Sequence, residues 1–280
     1  MRRVTLLSLA VALSSLSGVR SVWAAPCDAK VPEAGVPARV ALGPAGLGAV
    51  PEACGANDIS LQGFASALIA TEEFYGGLDA GLTLRARFEL GPRHWLSLWI
   101  PGLEYRFVAN ATIEAESVGM GAGAAGYHYA LPLGKAAQLA PFVRLMLPTE
   151  SVYQNAVRYG FDHGVAGIWR ATGWLELVGG FDFAALVTVG SGAYHVSYQP
   201  NLSAEAVAAP VGFLAVAAGA GLRFRGGDDA AFESFDPRIA LRIYPYRGLR
   251  VEAAAMLPLG GADRTDLVLG VNLGWIFEDD

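Results

Sequence analysis

Between Leu78 and Leu90 the sequence alternates without a break. Leu78, Ala80, Leu82, Leu84, Ala86, Phe88 and Leu90 form one set, and Asp79, Gly81, Thr83, Arg85, Arg87 and Glu89 the other. A helix would mix the two sets around its circumference, whereas an extended strand puts them on opposite faces. Near the C-terminus the pattern returns. Leu267, Leu269, Val271, Leu273, Trp275 and Phe277 alternate with Asp266, Val268, Gly270, Asn272, Gly274 and Ile276. Such a chain must give each face of its sheet a different environment.

Composition narrows which environments these are. Apolar residues make up 53% of the chain and charged residues only 16%, yet no run of eighteen or more strongly apolar residues follows the N-terminal stretch. Ala206–Leu222 comes nearest, but it is mostly alanine and glycine and contains Pro210. The 35 glycines also oppose long helices. A barrel with lipid outside and a polar lumen inside reconciles high apolar content with the lack of a membrane helix, because hydropathy averages out along every strand. The expected fold is therefore all-β, a transmembrane antiparallel up-and-down β-barrel occupying residues 59–280.

Period-two segments occur at 59–70, 78–90, 94–108, 112–131, 138–147, 157–170, 173–189, 211–225, 236–246, 249–259 and 266–277. That makes eleven. Bacterial single-chain barrels have even strand numbers, so the weaker segment Ala193–Pro200 is taken as the twelfth; ten or fourteen are the neighbouring even counts. Pro101 interrupts 94–108 and shifts its phase, which predicts a bulge. The short polar connections at 91–93, 170–173 and 246–248 are expected on the periplasmic side, and the longer ones at 71–77, 148–156, 226–234 and 259–265 outside. Trp95, Tyr127, Tyr129, Trp169, Trp174, Tyr244, Tyr246, Trp275 and Phe277 fall at the periplasmic strand ends, where an aromatic girdle is expected.

Residues 1–24 read as a secretory signal peptide. Arg2 and Arg3 supply its charge, Val4–Leu16 its short apolar core and Val22-Trp23-Ala24 the cleavage site. Residues 25–58, rich in Ala, Gly, Pro and Val without a period, form a periplasmic lead-in or a plug in the barrel mouth. The only cysteines, Cys27 and Cys54, both lie there; export to an oxidising compartment makes a disulfide between them the expected state. Removal of residues 1–24 leaves 17 basic against 26 acidic residues, so the formal charge goes from −6 to −9. Such a chain has no electrostatic reason to hold nucleic acid. His94, His128, His163 and His195 are scattered and give no metal-ligand spacing, and no cofactor is implied.

Pro141-Phe142-Val143-Arg144-Leu145-Met146-Leu147-Pro148-Thr149, with Gly160-Phe161-Asp162 and Gly164 following, resembles a strand–turn phrase of outer-membrane barrels of the phenol-degradation MetA type and related transporter-like families. Glu150 stands where that phrase has glycine. The last strand, Leu267–Phe277, resembles the signal by which barrel-insertion machinery recognises such chains, although Glu278-Asp279-Asp280 follow the aromatic. The resemblance implies a Gram-negative outer-membrane location and the movement of small, often apolar, solutes.

All but two of the 20 basic residues are arginine, the exceptions being Lys30 and Lys135. Arginine suits fixed ion pairs in a partly dry cavity. The expected lumen lining includes Arg85, Arg87, Glu89, Arg106, Arg144, Arg158, Asp162 and Arg242, with Glu104, Glu176, Asp182, Arg223, Arg225, Arg238, Arg250, Glu252 and Asp266 on the same face. Two roles fit them: structural ion pairs, or a charged constriction favouring anions. The chain thus reads as a passive pore or transporter-like channel. The alternatives are a closed structural barrel and an outer-membrane hydrolase. The hydrolase has little support. Asp162 and His163 are adjacent and so point to opposite faces, and His195 and Ser197 share a face without a visible third partner. The chain is therefore read as a non-enzyme.

Overall fold

The computed structural model describes residues 53–54, 57–70, 75–109, 114–121, 123–148, 156–190, 193–211, 213–226, 231–246, 249–260 and 265–276. The expected signal peptide, most of the lead-in with Cys27, and Phe277 lie outside the described residues.

Among the described residues every regular element is a strand. These are β1 (Asp58–Ala70), β2 (Tyr75–Gly91), β3 (His94–Ala109), β4 (Glu114–Met120), β5 (Gly123–Tyr129), β6 (Leu131–Pro132), β7 (Ala137–Leu147), β8 (Ala156–Arg170), β9 (Leu175–Gly190), β10 (Ala193–Val211), β11 (Leu214–Arg225), β12 (Ala231–Tyr246), β13 (Leu249–Met256) and β14 (Thr265–Ile276). All neighbours pair antiparallel, and β1 pairs with both β2 and β14, so the sheet closes. The segments β4, β5 and β6 share one place in the wall, since β4 and β5 pair successive parts of β3 and β6 continues the ladder onto β7. The fold is a closed twelve-stranded antiparallel barrel. An unpaired sheet edge has no partner in hydrocarbon, and closure removes it.

The expected bulge is present. Gly81 pairs with Glu104 and Thr83 with Pro101, so two β3 residues stand opposite one of β2. Pro101 has no N–H to offer the ladder. Gly102 is needed beside it, because a Cβ there would lie 2.5 Å from the Leu82 carbonyl oxygen.

Two sequence expectations need correction. The segment Ala193–Pro200 is only the first half of β10, which runs to Val211 and pairs with β9 as far as Ala208↔Leu175. The expected single strand 112–131 is interrupted at Gly121 and at Ala130.

Both ends of the sheet, Asp58 and Ile276, sit at one rim, here termed the terminal rim. Its connections are short: 92–93, 133–136, 171–174, 212–213 and 247–248. The opposite rim carries 71–74, 110–113, 148–155, 191–192, 226–230 and 257–264. Both sets agree in sidedness with the loop lengths read from sequence.

Leu61, Leu82, Ile100, Val143, Phe161, Leu202, Leu241 and Leu269 are exposed on the outer surface. Their strand neighbours Gln62, Thr83, Asp162, Ser203, Arg242 and Gly270 are buried inward. A continuous apolar exterior of this extent is a membrane-facing surface rather than a monomer's ordinary patchiness. Tyr127, Trp169, Trp174 and Trp275 form exposed girdle positions near the terminal rim. Trp95 does not join them: it is 2% exposed and turned into the lumen, stacked on His128 with ring centroids 5.0 Å apart. Tyr244 also packs partly buried against the interior cluster.

Candidate functional site in the barrel lumen

The lumen has two halves of different character. Near the rim opposite the chain ends its ion pairs are partly open: Arg225–Glu233 at 2.6 Å, Arg223–Asp236 at 2.7 Å and Arg106–Asp79 at 2.8 Å. The guanidinium side chains there are 41%, 23% and 25% exposed. Asn201 donates to Asp182 at the same open end.

Nearer the terminal rim the interior is packed. Arg87 donates from Nε and Nη2 to the two carboxylate oxygens of Asp58, at 2.6 Å each, and its side chain has no exposed surface. Glu205 accepts from Arg238 and from Arg242, the latter at 2.7 Å. Arg242 also donates to Glu252 at 2.5 Å. This chain of four charges is almost entirely buried. Alternate inward positions put cation opposite anion across neighbouring strands, as in the Arg242↔Glu252 pair of β12 and β13. Each partner offsets the other's desolvation, which an isolated buried charge could not. Arg170–Glu176 at 2.7 Å closes the wall between β8 and β9.

Interleaved with the charges is an apolar cluster: Trp95, Ala130, Ala140, Ala166, Ile168, Val178, Val207, Ala215, Ala217 and Ala240. Ala53 and Cys54 belong to it, although they precede the first strand. Gln138 donates to the Ala53 carbonyl at 2.7 Å, and Arg87 donates to the Cys54 carbonyl at 3.3 Å. The Glu89 N–H donates to Asn57 Oδ1 at 2.8 Å. Ala53, Cys54 and Asn57 thus lie against the inside of the barrel mouth, held by β2 on one side and β7 on the other. Cys54 is disulfide-bonded.

Arg144 bridges the two halves. It lies 3.2 Å from Asp162, its guanidinium sits 4.5 Å from the Trp99 ring centroid and 5.3 Å from that of Phe142, and it is one-quarter exposed. Arg85 lies 5.5 Å from the same Trp99 ring. Of the expected lumen residues, Arg85, Arg87, Arg106, Arg144, Asp162 and Arg242 all line the interior. Glu89 lies at the terminal rim, exposed, and takes no part in the packed network beyond its backbone bond to Asn57. The Arg158 and Asp266 side chains lie outside the described residues.

Sequence reasoning missed one pair with chemical potential. Ser97 Oγ and His128 Nε2 share a hydrogen bond at 2.8 Å across 31 residues of sequence. His128 Nδ1 has no hydrogen-bond partner, and both residues are fully buried. Without an acid to orient the ring or a path for substrate, the pair does not meet the geometry of a Ser–His nucleophile. The register puts His195 opposite Thr188 and Ser197 opposite Leu186, neither of them an acid. Among the described residues no three His, Cys, Asp or Glu side chains converge as a metal site.

These features define a twelve-stranded barrel of the outer-membrane type with a charge-paired lumen packed at one end. Solved structures share that architecture. An outer membrane channel from Pseudomonas putida F1 is 16% identical, with a TM-score of 0.58 over 84% of this chain and 100% of its own. The translocator domain of the autotransporter NalP from Neisseria meningitidis is 11% identical, with a TM-score of 0.56 over 80% and 88%. The beta domain of the Bordetella autotransporter BrkA is 12% identical, with a TM-score of 0.55 over 79% and 100%. No family model matches the chain, and no curated protein matches it in sequence. At these identities the likeness extends to the fold alone, which a channel and two autotransporter domains share.

Proposed function

We propose that this chain is an outer-membrane channel for small solutes, with its terminal rim in the periplasm and its lumen closed at rest on that side. The gradient of exposure along the lumen carries this reading. A vestibule of partly open Arg–carboxylate pairs gives way to a packed interior, and Ala53 and Cys54 complete the packing. In this reading residues 25–57 act as a plug tied back by a Cys27–Cys54 bridge. The arginines at the narrowing favour anions, because a ring of fixed positive charge lowers the barrier for the opposite sign. The phrase whose residues 141–147 fall on β7 carries the transporter-like resemblance.

The test is single-channel recording in planar bilayers, on the mature chain and on a form lacking residues 25–57. Rare, brief openings in the first and long-lived steps in the second are expected, with reversal potentials on the anion side. Arg85→Gln with Arg144→Gln should move the reversal potential toward cations. The packed chain Arg238–Glu205–Arg242–Glu252 favours a second reading, a closed structural barrel. Silence from both forms would select it.

A further inference from the structure

Four strands, β13, β14, β1 and β2, lie side by side in the wall, and one register row crosses them as Arg250, Gly274, Ser60 and Arg85. Cations stand at both ends of the row, and the two residues between them are small. Arg250 reaches over Gly274, since a Cβ there would lie 2.7 Å from its Nη2. Arg85 is within electrostatic range of Arg250. The next inward row toward the open end is Glu252, Asn272, Gln62 and Thr83.

Two neighbouring side chains in these rows end in polar atoms without hydrogen-bond partners. They are Nε, Nη1 and Nη2 of Arg250, and both Oδ1 and Nδ2 of Asn272. Arg250 has no exposed surface and Asn272 is 4% exposed. The carboxylate beside Arg250 is Asp58, 3.7 Å away, and both its oxygens already accept from Arg87. Glu252, opposite Asn272, is engaged by Arg242. A buried guanidinium with no hydrogen bond is among the costliest arrangements a fold can keep, and a second cation in range makes it costlier. An oxyanion between them removes both penalties. The guanidinium fork matches a carboxylate in two parallel N–H···O bonds, and the Asn272 amide supplies a further donor. Toward the open end the next paired positions in β13 and β14 are the small residues Ala254 and Gly270, with Phe64 of β1 beside Gly270 leaning over Gly81.

We infer that Arg250 and Asn272, backed by Arg85, form a binding site for a small carboxylate. It deepens the channel reading by naming a solute class, yet its occupancy can be measured without transport.

The test is isothermal titration calorimetry, with thermal unfolding alongside, on the mature chain in detergent. Sodium acetate, sodium phosphate and sodium chloride are compared at matched ionic strength. Saturable acetate binding that raises the unfolding temperature is expected. Arg250→Met and Asn272→Leu should each weaken it at least tenfold, while Arg223→Gln at the open end leaves it unchanged. Asn272→Leu also removes a buried unsatisfied amide, so it serves should Arg250→Met fail to fold. No saturable acetate response in the wild type, binding by phosphate or chloride in its place, or wild-type affinity in Asn272→Leu would each overturn the site. A silent bilayer with intact acetate binding would sink the channel reading and leave the site standing.

Discussion

Asp58 and Arg87 face each other across the first strand pair, and neither side chain has appreciable exposed surface. Removing one charge strands the other. Asp58→Asn leaves Arg87 and Arg250 without their shared carboxylate, at a cost of about 3–5 kcal/mol. A lower urea midpoint for the barrel in liposomes is the expected readout, and an unchanged midpoint would show that the pair is solvated. Such partners are hard to find from sequence. Arg87 is legible as an inward residue because its strand alternates cleanly, whereas Asp58 looks like the last residue of an aperiodic lead-in. Their pairing spans 29 residues. Trp95 misleads for a related reason. An aromatic at a strand end suits a girdle on either face, and the phase change at Pro101 hides which face it occupies.

At the level of single strands, legibility follows contrast between the two faces. β2 and β14 could be read residue by residue because leucines alternate with charged or small residues. The second half of β10 could not. Its inward positions mix Ser203 and Glu205 with Val207, which is more apolar than the outward Ala206 and Ala208 beside it, and Pro200 and Pro210 suggest breaks. Only the even-number rule of closed barrels retrieved the strand at all, and then only its first eight residues. The same alanine- and glycine-rich stretch of β10 and β11 holds one of the wall's tight approaches. A Cβ on Gly219 would lie 2.3 Å from the Ala204 carbonyl oxygen, backbone that cannot swing aside. Gly219→Val should therefore destabilise the barrel by about 1–3 kcal/mol or more, seen as loss of the compact band on unheated electrophoresis; a retained band at wild-type intensity would mean the β10–β11 pair can shift. On the outer face, Leu269→Arg should cost about 2–4 kcal/mol of folding free energy in bilayers, as for a cation near the midplane. Equal stability to wild type would place Leu269 outside the hydrocarbon.

For the molecule as a whole, barrel architecture, strand number and the sidedness of loops were all available from pattern, because lipid, lumen and closure each impose a rule on sequence. The packing of the lumen was not. Alternation says which side chains point inward but not how far they reach, and it cannot foresee that Ala53 and Cys54 pack inside the mouth. The distinction between an open vestibule and a packed base therefore comes only from three dimensions, and the proposed channel rests on it.

Substituted-cysteine labelling in intact cells, with a bulky, membrane-impermeant maleimide added outside, reads that distinction most directly. Arg225→Cys, at the open end, should label rapidly; Ala217→Cys, in the apolar cluster, should stay unlabelled until residues 25–57 are deleted; Leu269→Cys, facing lipid, should stay unlabelled in both. Equal labelling at positions 225 and 217 in the intact chain would contradict a lumen closed on the periplasmic side, and protection of position 225 would contradict the orientation itself.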